Sequence, residues 1–239
     1  MNLSKSILFE KEYAINEHIR IMIPTLREIL SFGESKYYSL VMSLTAMPID
    51  LLVELDDMGI DFTKIGEFEL FCLLFTGLKT QDTSLIFGDL DLSKFELAVS
   101  EQNGSIVMID RENDIVIDKS IQDQIASVLR TIHHLEKNIR KPANEEAKRY
   151  LIERARRKRK RRKRDGDRSQ LESLIVAMVN TEEFKYNFDT VKDLSIYQFN
   201  ESVLQITKKV SFNNKMIGVY AGTVNAEKLS QDELNWLIH

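Results

Sequence analysis

The chain has 239 residues, of which 43% are hydrophobic and 29% charged, a balance that supports a packed core and excludes global disorder. Three prolines and nine glycines favour long helices over a sandwich of many short strands, and the single cysteine excludes a disulfide framework or a cysteine-based metal site within one chain. The net charge of −4 conceals an asymmetry: twelve of the seventeen residues from Lys148 to Arg164 are Lys or Arg and one is Glu, a local charge of +11 that leaves −15 on the remainder.

In chain order, the first residues lack the long apolar region of a signal peptide, and the most apolar stretch, Phe68 to Leu78, is too short to span a bilayer. The expectation is a protein that stays in the cytosol of whatever cell makes it, with no membrane partner. Residues 11–30 read as a helix kinked at Pro24, and Gly33 as its stop. Residues 35–46 read as a second helix with Tyr37, Tyr38, Val41, Met42 and Leu44 as candidate buried positions. Pro48 opens a short third one, Ile49 to Met58, which Gly59 closes, because a missing N–H costs nothing in a first helical turn. Residues 67–78 form a strongly apolar fourth helix, expected to be buried, and Cys72 within it reads as a small buried hydrophobe.

The pattern then changes. Runs at 95–100, 106–109 and 115–117 are separated by Asn103-Gly104 and Asn113-Asp114, which predicts a three-stranded antiparallel meander over 95–118. Ser120 followed by Asp123 resembles a helix N-cap with an acidic first turn. Ile121, Ile125, Val128, Ile132, Leu135 and Ile139 follow at spacings of 4, 3, 4, 3 and 4, a seam for another helix, intramolecular or otherwise. Lys141-Pro142 breaks that helix. A new one starts near Asn144-Glu145-Glu146 and runs into Arg156–Arg164, nine consecutive basic residues with no apolar face, so this part cannot be core. Asp165-Gly166-Asp167 reads as a boundary. Beyond it, Leu171, Leu174, Ile175, Met178 and Val179 follow helical spacing, and Ser195 to Gln198 is a capping box opening a helix that buries Ile196, Phe199, Val203, Ile206 and Val210. A break at Ser211–Asn214, a short apolar Lys215–Tyr220, a stop at Gly222, and a second capping box at Ser230–Glu233 ahead of Trp236 complete the chain. The fold class is mainly α (α+β), in three parts: residues 1–140 as a helical domain with the meander, 141–166 as a basic helix or linker, and 167–239 as a helical C-terminal unit.

No Gly-rich phosphate loop or nucleophile elbow is present. His133 and His134, adjacent on a helix, point about 100° apart and cannot grip one metal from one face. No catalytic residue, metal or cofactor is expected, and the chain reads as a binding protein rather than an enzyme. Arg154, Arg156, Arg157, Lys158, Arg159, Lys160, Arg161, Arg162, Lys163 and Arg164 are the candidate partner-binding residues. Three readings of them stand open: a solvated positive helix, docking on acidic protein surface (the chain's own or a partner's), and nonspecific binding of nucleic-acid phosphates.

The stretch Lys148 to Arg156 (KRYLIERAR), Leu174 to Tyr186 (LIVAMVNTEEFKY), and the ending Ser195 to Phe199, Gly218 to Val224 and Leu234 to Trp236 resemble a family of tailed bacteriophages and prophages of Gram-positive bacteria. The resemblance covers residues 140–239, and the first 120 only loosely. It implies a product of the tail gene module, a tail assembly chaperone that binds the tape-measure protein or the tail tube protein, while a structural component retained in the virion and a nucleic-acid-binding protein remain alternatives. It transfers no functional residues, and the long basic run departs from its pattern. The oligomeric state is left open.

Overall fold

The computed structural model describes residues 7–100, 104–165 and 169–237, with the side chains of 162–165 outside that description. Among the described residues the protein is mainly helical with two small antiparallel sheets. It divides into two compact units, residues 1–24 with 28–169, and residues 25–27 with 170–239.

The first unit opens with a hairpin, β1 (Glu12–Ala14) paired with β2 (Arg20–Met22), in place of the helix expected over residues 11–30. The side chain of Asn16 accepts hydrogen bonds from the main-chain N–H groups of His18 and Ile19 and shapes the turn. Ile19, Ile21 and Ile23 alternate into the core, which is the period of a strand. Helix α1 (Leu26–Phe32) follows Pro24. Helix α2 (Glu34–Thr45) buries Tyr37, Leu40, Val41 and Leu44, whereas Met42 is exposed. Pro48 sits in the first turn of a 3-10 segment, Pro48–Leu51, that runs into α3 (Leu52–Asp57), and Gly59 leaves that helix at a φ of 73°.

Helix α4 (Glu67–Leu78) buries one face only, through Leu70, Phe71, Phe75 and Leu78. Leu73 is exposed and Cys72 half-buried, so this is a surface helix and not the fully buried one its composition suggested. Short α5 (Ser84–Phe87) and a 3-10 turn lead to the meander of β3 (Glu96–Val99), β4 (Ile106–Asp110) and β5 (Ile115–Ile117), in that spatial order and antiparallel throughout, as expected. Gly104 takes the positive φ of 68° that the first turn requires, while Asn103 beside it lies outside the described residues. Asp110 closes the second turn by accepting from the main-chain N–H groups of Glu112 and Asn113.

Helix α6 (Lys119–His133) is capped by Asp118 rather than Ser120: its carboxylate accepts from the N–H of Ile121 at 2.8 Å. The helix ends earlier than its periodicity implies. His134 adopts the left-handed conformation, and Ile139, 73% exposed, lies well past the end. Ile125, Val128 and Ile132 are buried, and α6 packs on α2, α4, β2 and β5, so the middle of the apolar seam is consumed inside the fold. Arg130 of α6 donates to the main-chain carbonyl of Thr45 at 2.7 Å, satisfying an orphan acceptor at the end of α2.

The second unit holds α8 (Gln170–Val179), a 3-10 turn at Val191–Asp193, and α9 (Ile196–Tyr220). Ser195 accepts from the N–H of Gln198, and the Gln198 side chain accepts from the N–H of Ser195, which is the capping box read from the sequence. Ile196, Phe199, Phe184, Val191 and Leu194 form the small core of this unit, with the Phe184 and Phe199 rings 6.1 Å apart, edge to face. Two expectations fail here. The break at Ser211–Asn214 does not occur, since α9 is one helix of 25 residues, and Val210 on it is exposed. The second capping box forms, with Ser230 and Glu233 bonded reciprocally, but it closes a turn and not a helix; Trp236 lies beyond it on irregular chain, 45% exposed.

Candidate functional site

The basic segment is helical. Asn144 caps α7 (Glu145–Asp165) by accepting from the N–H of Ala147 at 2.8 Å, and Glu145 and Glu146 occupy the first turn, where the helix dipole favours acids. The helix has two faces with different partners.

The inner face packs on α3. Ile152 is buried in a cluster with Leu52, Val53, Leu55, Phe62 and Leu70, flanked by half-buried Leu151 and Ala155. One and two turns further on, Arg156 and Arg159 stand over the acidic residues of α3. Arg156 Nη2 lies 2.6 Å from Asp56 Oδ2 and 2.5 Å from Asp57 Oδ1, and Arg159 Nη1 lies 2.9 Å from Glu54 Oε1. Asp56 and Asp57 sit in the last turn of α3, where carboxylates oppose the helix dipole, so a guanidinium placed there relieves an otherwise unfavourable arrangement. These hydrogen bonds raise the pKa of Arg156 further. At the start of the stripe Lys148 Nζ meets Asp61 Oδ2 at 2.8 Å. The bond raises the Lys148 pKa and, with the Thr63 hydroxyl and N–H, holds the Asp61 carboxyl well below the usual carboxylate range. The inner stripe of the basic helix is thus occupied by the chain's own acids.

The outer face is open. Arg154, Arg157, Lys158, Lys160 and Arg161 are exposed; among the described residues Arg157 pairs only with Glu153 of its own helix, and the other four make no ion pair. Tyr150, 59% exposed, stands one turn before Arg154 on the same face. Of the ten candidate residues, then, Arg156 and Arg159 hold α7 to α3, and Arg154, Arg157, Lys158, Lys160 and Arg161 form a cationic stripe facing solvent. The side chains of Arg162, Lys163 and Arg164 lie outside the described residues.

The sequence raised docking on the chain's own acids without saying that Arg156 and Arg159 are the residues engaged. That pairing joins residues about a hundred positions apart, and only the Asp56-Asp57 doublet hinted at it.

Other surfaces offer less. An open groove of about 800 Å³ near the β1–β2 hairpin is lined by Glu12, Arg20, Asp91, Lys94 and Asp110 among others. Its charges satisfy one another or the adjoining turns: Arg20 pairs with Glu12 at 3.0 Å, Lys94 with Glu112 at 3.0 Å, and Asp91 accepts from the N–H of Ser93. Among the described residues no three His, Cys, Asp or Glu side chains are grouped so as to hold a metal ion, and no helix is long and apolar enough to cross a membrane. Burial raises the Cys72 thiol pKa, which disfavours the reactive thiolate.

Residues 159–239, the last third of the chain, match the model of a family described as YomV second domain. That family is phage-associated, and the likeness supports a phage protein. The match begins within the basic stripe of α7 and takes in α8, α9 and the terminal segment. No curated protein and no solved structure matches the chain.

Proposed function

We propose that this chain is a phage tail assembly chaperone: a non-catalytic protein of the host cytoplasm that holds the tape-measure protein, or the tail tube protein, until the tube polymerises. The observation that carries the reading is the outer stripe of α7, a helix fixed to the body of the protein by Ile152, Arg156 and Arg159 that presents cations in register along one exposed side. A preformed stripe costs less ordering entropy on binding than a frayed basic tail, and it fits acidic helical surface on a client. The likeness of residues 159–239 to a phage-associated family is consistent with this setting.

Changing Arg154, Arg157, Lys158 and Arg161 together to glutamine is expected to weaken binding to the tape-measure protein of the same phage by on the order of tenfold, given the modest worth of each exposed charge pair. The wild-type affinity should fall as salt rises over the same range. Isothermal titration at two ionic strengths reads both, and equal affinity of variant and wild type would end this reading. Mass spectrometry of purified virions separates the chaperone from a retained structural component: a chaperone is absent from finished particles.

Tyr150 favours one second reading. An exposed aromatic in line with arginines can stack on an unpaired base while the cations follow the phosphates. Retention of single-stranded DNA or RNA in a gel shift at near-physiological salt, lost on Tyr150→Ala, would favour it over protein docking.

A further inference from the structure

Helix α9 has two long faces. Along one of them the end of the chain doubles back. Thr223 and Val224 donate their main-chain N–H groups to the carbonyl of Gly218, Lys215 pairs with Glu233 at 2.8 Å, Lys208 pairs with Asp232 at 2.7 Å, and Gln205 Nε2 donates to the Trp236 carbonyl at 2.7 Å. The pairing with Lys215 and the N–H of Ser230 hold the Glu233 pKa at about 2, so the clamp is charged at any physiological pH. Gly218 is required for this approach, because a Cβ there would stand 2.7 Å from a methyl group of Val224.

The face opposite this strap is bare. From the buried pair Ile196 and Phe199, the spacing 4, 3, 4, 3, 4, 3 continues through Val203, Ile206, Val210, Asn213, Ile217 and Tyr220. Exposure grows along it: Val203 and Ile206 are half-buried, Val210 is exposed, and Ile217 and Tyr220 are 66% and 87% exposed. A repeat of 3.5, rather than 3.6, is the one that keeps a stripe facing a second helix of equal length over many turns.

We infer that this seam joins two copies of the chain, paired in parallel through α9. Three features favour a second copy as the occupant. The seam keeps the coiled-coil period through the stretch where α9 leaves its own core. Asn213 would be stranded without a partner against an apolar client helix, whereas in a parallel pair it meets Asn213 of the other copy and fixes the register. The flanking positions Thr207, Lys209, Asn214 and Met216 carry a single charge, so two copies bring no opposed rows of like charge together. The helix is already formed and clamped on its far side, so association does not have to order it.

The full chain, followed by sedimentation equilibrium over a concentration series, is expected to shift from monomer to twice its mass through the micromolar range. Ile217→Lys is expected to raise the dissociation constant at least tenfold without moving the unfolding midpoint, because Ile217 contributes little to the monomer's own core. In a Cys72→Ser background, Asn213→Cys should cross-link to itself on mild oxidation, which a parallel pair in register allows and an antiparallel one does not. A chain that stays monomeric into the millimolar range, a dimer that survives Ile217→Lys, or a dimer in which Asn213→Cys fails to cross-link would each overturn the inference. Loss of client binding in the α7 variant, with the dimer intact, would leave it standing.

Discussion

Replacing Ile152 by alanine is expected to cost about 2–4 kcal/mol and to loosen the basic helix from the body of the protein. Ile152 is 8% exposed and, among the described residues, is the one buried side chain α7 contributes to the cluster with Leu52, Val53, Leu55, Phe62 and Leu70. Its neighbours there, Leu151 and Ala155, are only half-buried, and the ion pairs beyond it lie in solvent where screening weakens them. Burial at this point therefore decides whether α7 is a docked helix or a detached one, and a detached run of arginine and lysine repels itself. Trypsin gives a direct readout, since the outer stripe is a series of cleavage sites protected only by helical structure. The Ile152→Ala protein should be cut within 154–161 much faster than wild type at a temperature where both remain folded by circular dichroism. Arg161→Gln, on the outer face, should leave the remaining sites as protected as before. Equal cleavage rates in Ile152→Ala and wild type would mean that α7 does not depend on α3 for its order.

The elements legible from sequence were those whose signal was local. The meander was marked by Asn-Gly and Asn-Asp between short apolar runs, α2 and α3 by Gly33, Pro48 and Gly59, and α9 by the capping box at Ser195. The failures have distinct physical causes. In residues 12–22 the alternation of Ile19, Ile21 and Ile23 was outweighed by surrounding helix-forming residues, and tertiary burial decided for the hairpin. Leu135 and Ile139 extended the seam of α6 in phase, but His134 turns left-handed before them, so the periodicity outlasted the helix. Ser211, Asn213 and Asn214 are poor helix formers, yet each costs only about half a kcal/mol in a helix interior. The Lys208 and Lys215 ion pairs to the strap tie the turns on either side together. The bare seam of α9 follows from that continuity, which is why a sequence split at Ser211 concealed it.

For the candidate site, charge was legible and its direction was not. Nine consecutive basic residues announce a surface, but which of them turn inward depends on where α3 lies, and Arg156 meets Asp56 only because the two helices pack through Ile152. The apolar seam at 121–139 posed the same question. Its clean spacing called for another helix, intramolecular or otherwise, and the fold covers its helical part, to Ile132, from within, with α2, α4 and the sheets. Amphipathic pattern identifies a face that must be covered. It does not say whether the cover comes from the same chain.

The second large effect is a dependence of stability on pH set by one histidine. His133 is buried at the end of α6 against Tyr37 and Tyr38, with its Nε2 3.0 Å from the Tyr37 hydroxyl and its Nδ1 without a protein hydrogen-bond partner. Burial, with a smaller contribution from His134, lowers its pKa from 6.5 to about 4, and burial likewise keeps Tyr37 neutral. Doubly protonated, the ring carries an N–H at both nitrogens, and nothing receives the one at Nδ1, in surroundings that do not solvate the charge. In the unfolded chain the imidazole titrates normally, so between pH 6.5 and 4 the unfolded state binds a proton that the folded state refuses. Stability from this group is therefore complete above pH 6.5 and is lost as pH falls to about 4, with a slope near 1.4 kcal/mol per pH unit and a total of about 3 kcal/mol. Carboxylates titrate at the lower end of the same range, so the measurement is a difference. Urea unfolding of wild type and His133→Gln at half-unit steps from pH 7.5 to 4 should show the two curves converging as pH falls, because only the wild type carries the histidine's loss. Parallel curves would mean that His133 takes up its proton inside the folded protein as readily as outside it, and that the Tyr37 pocket opens to water before the molecule unfolds.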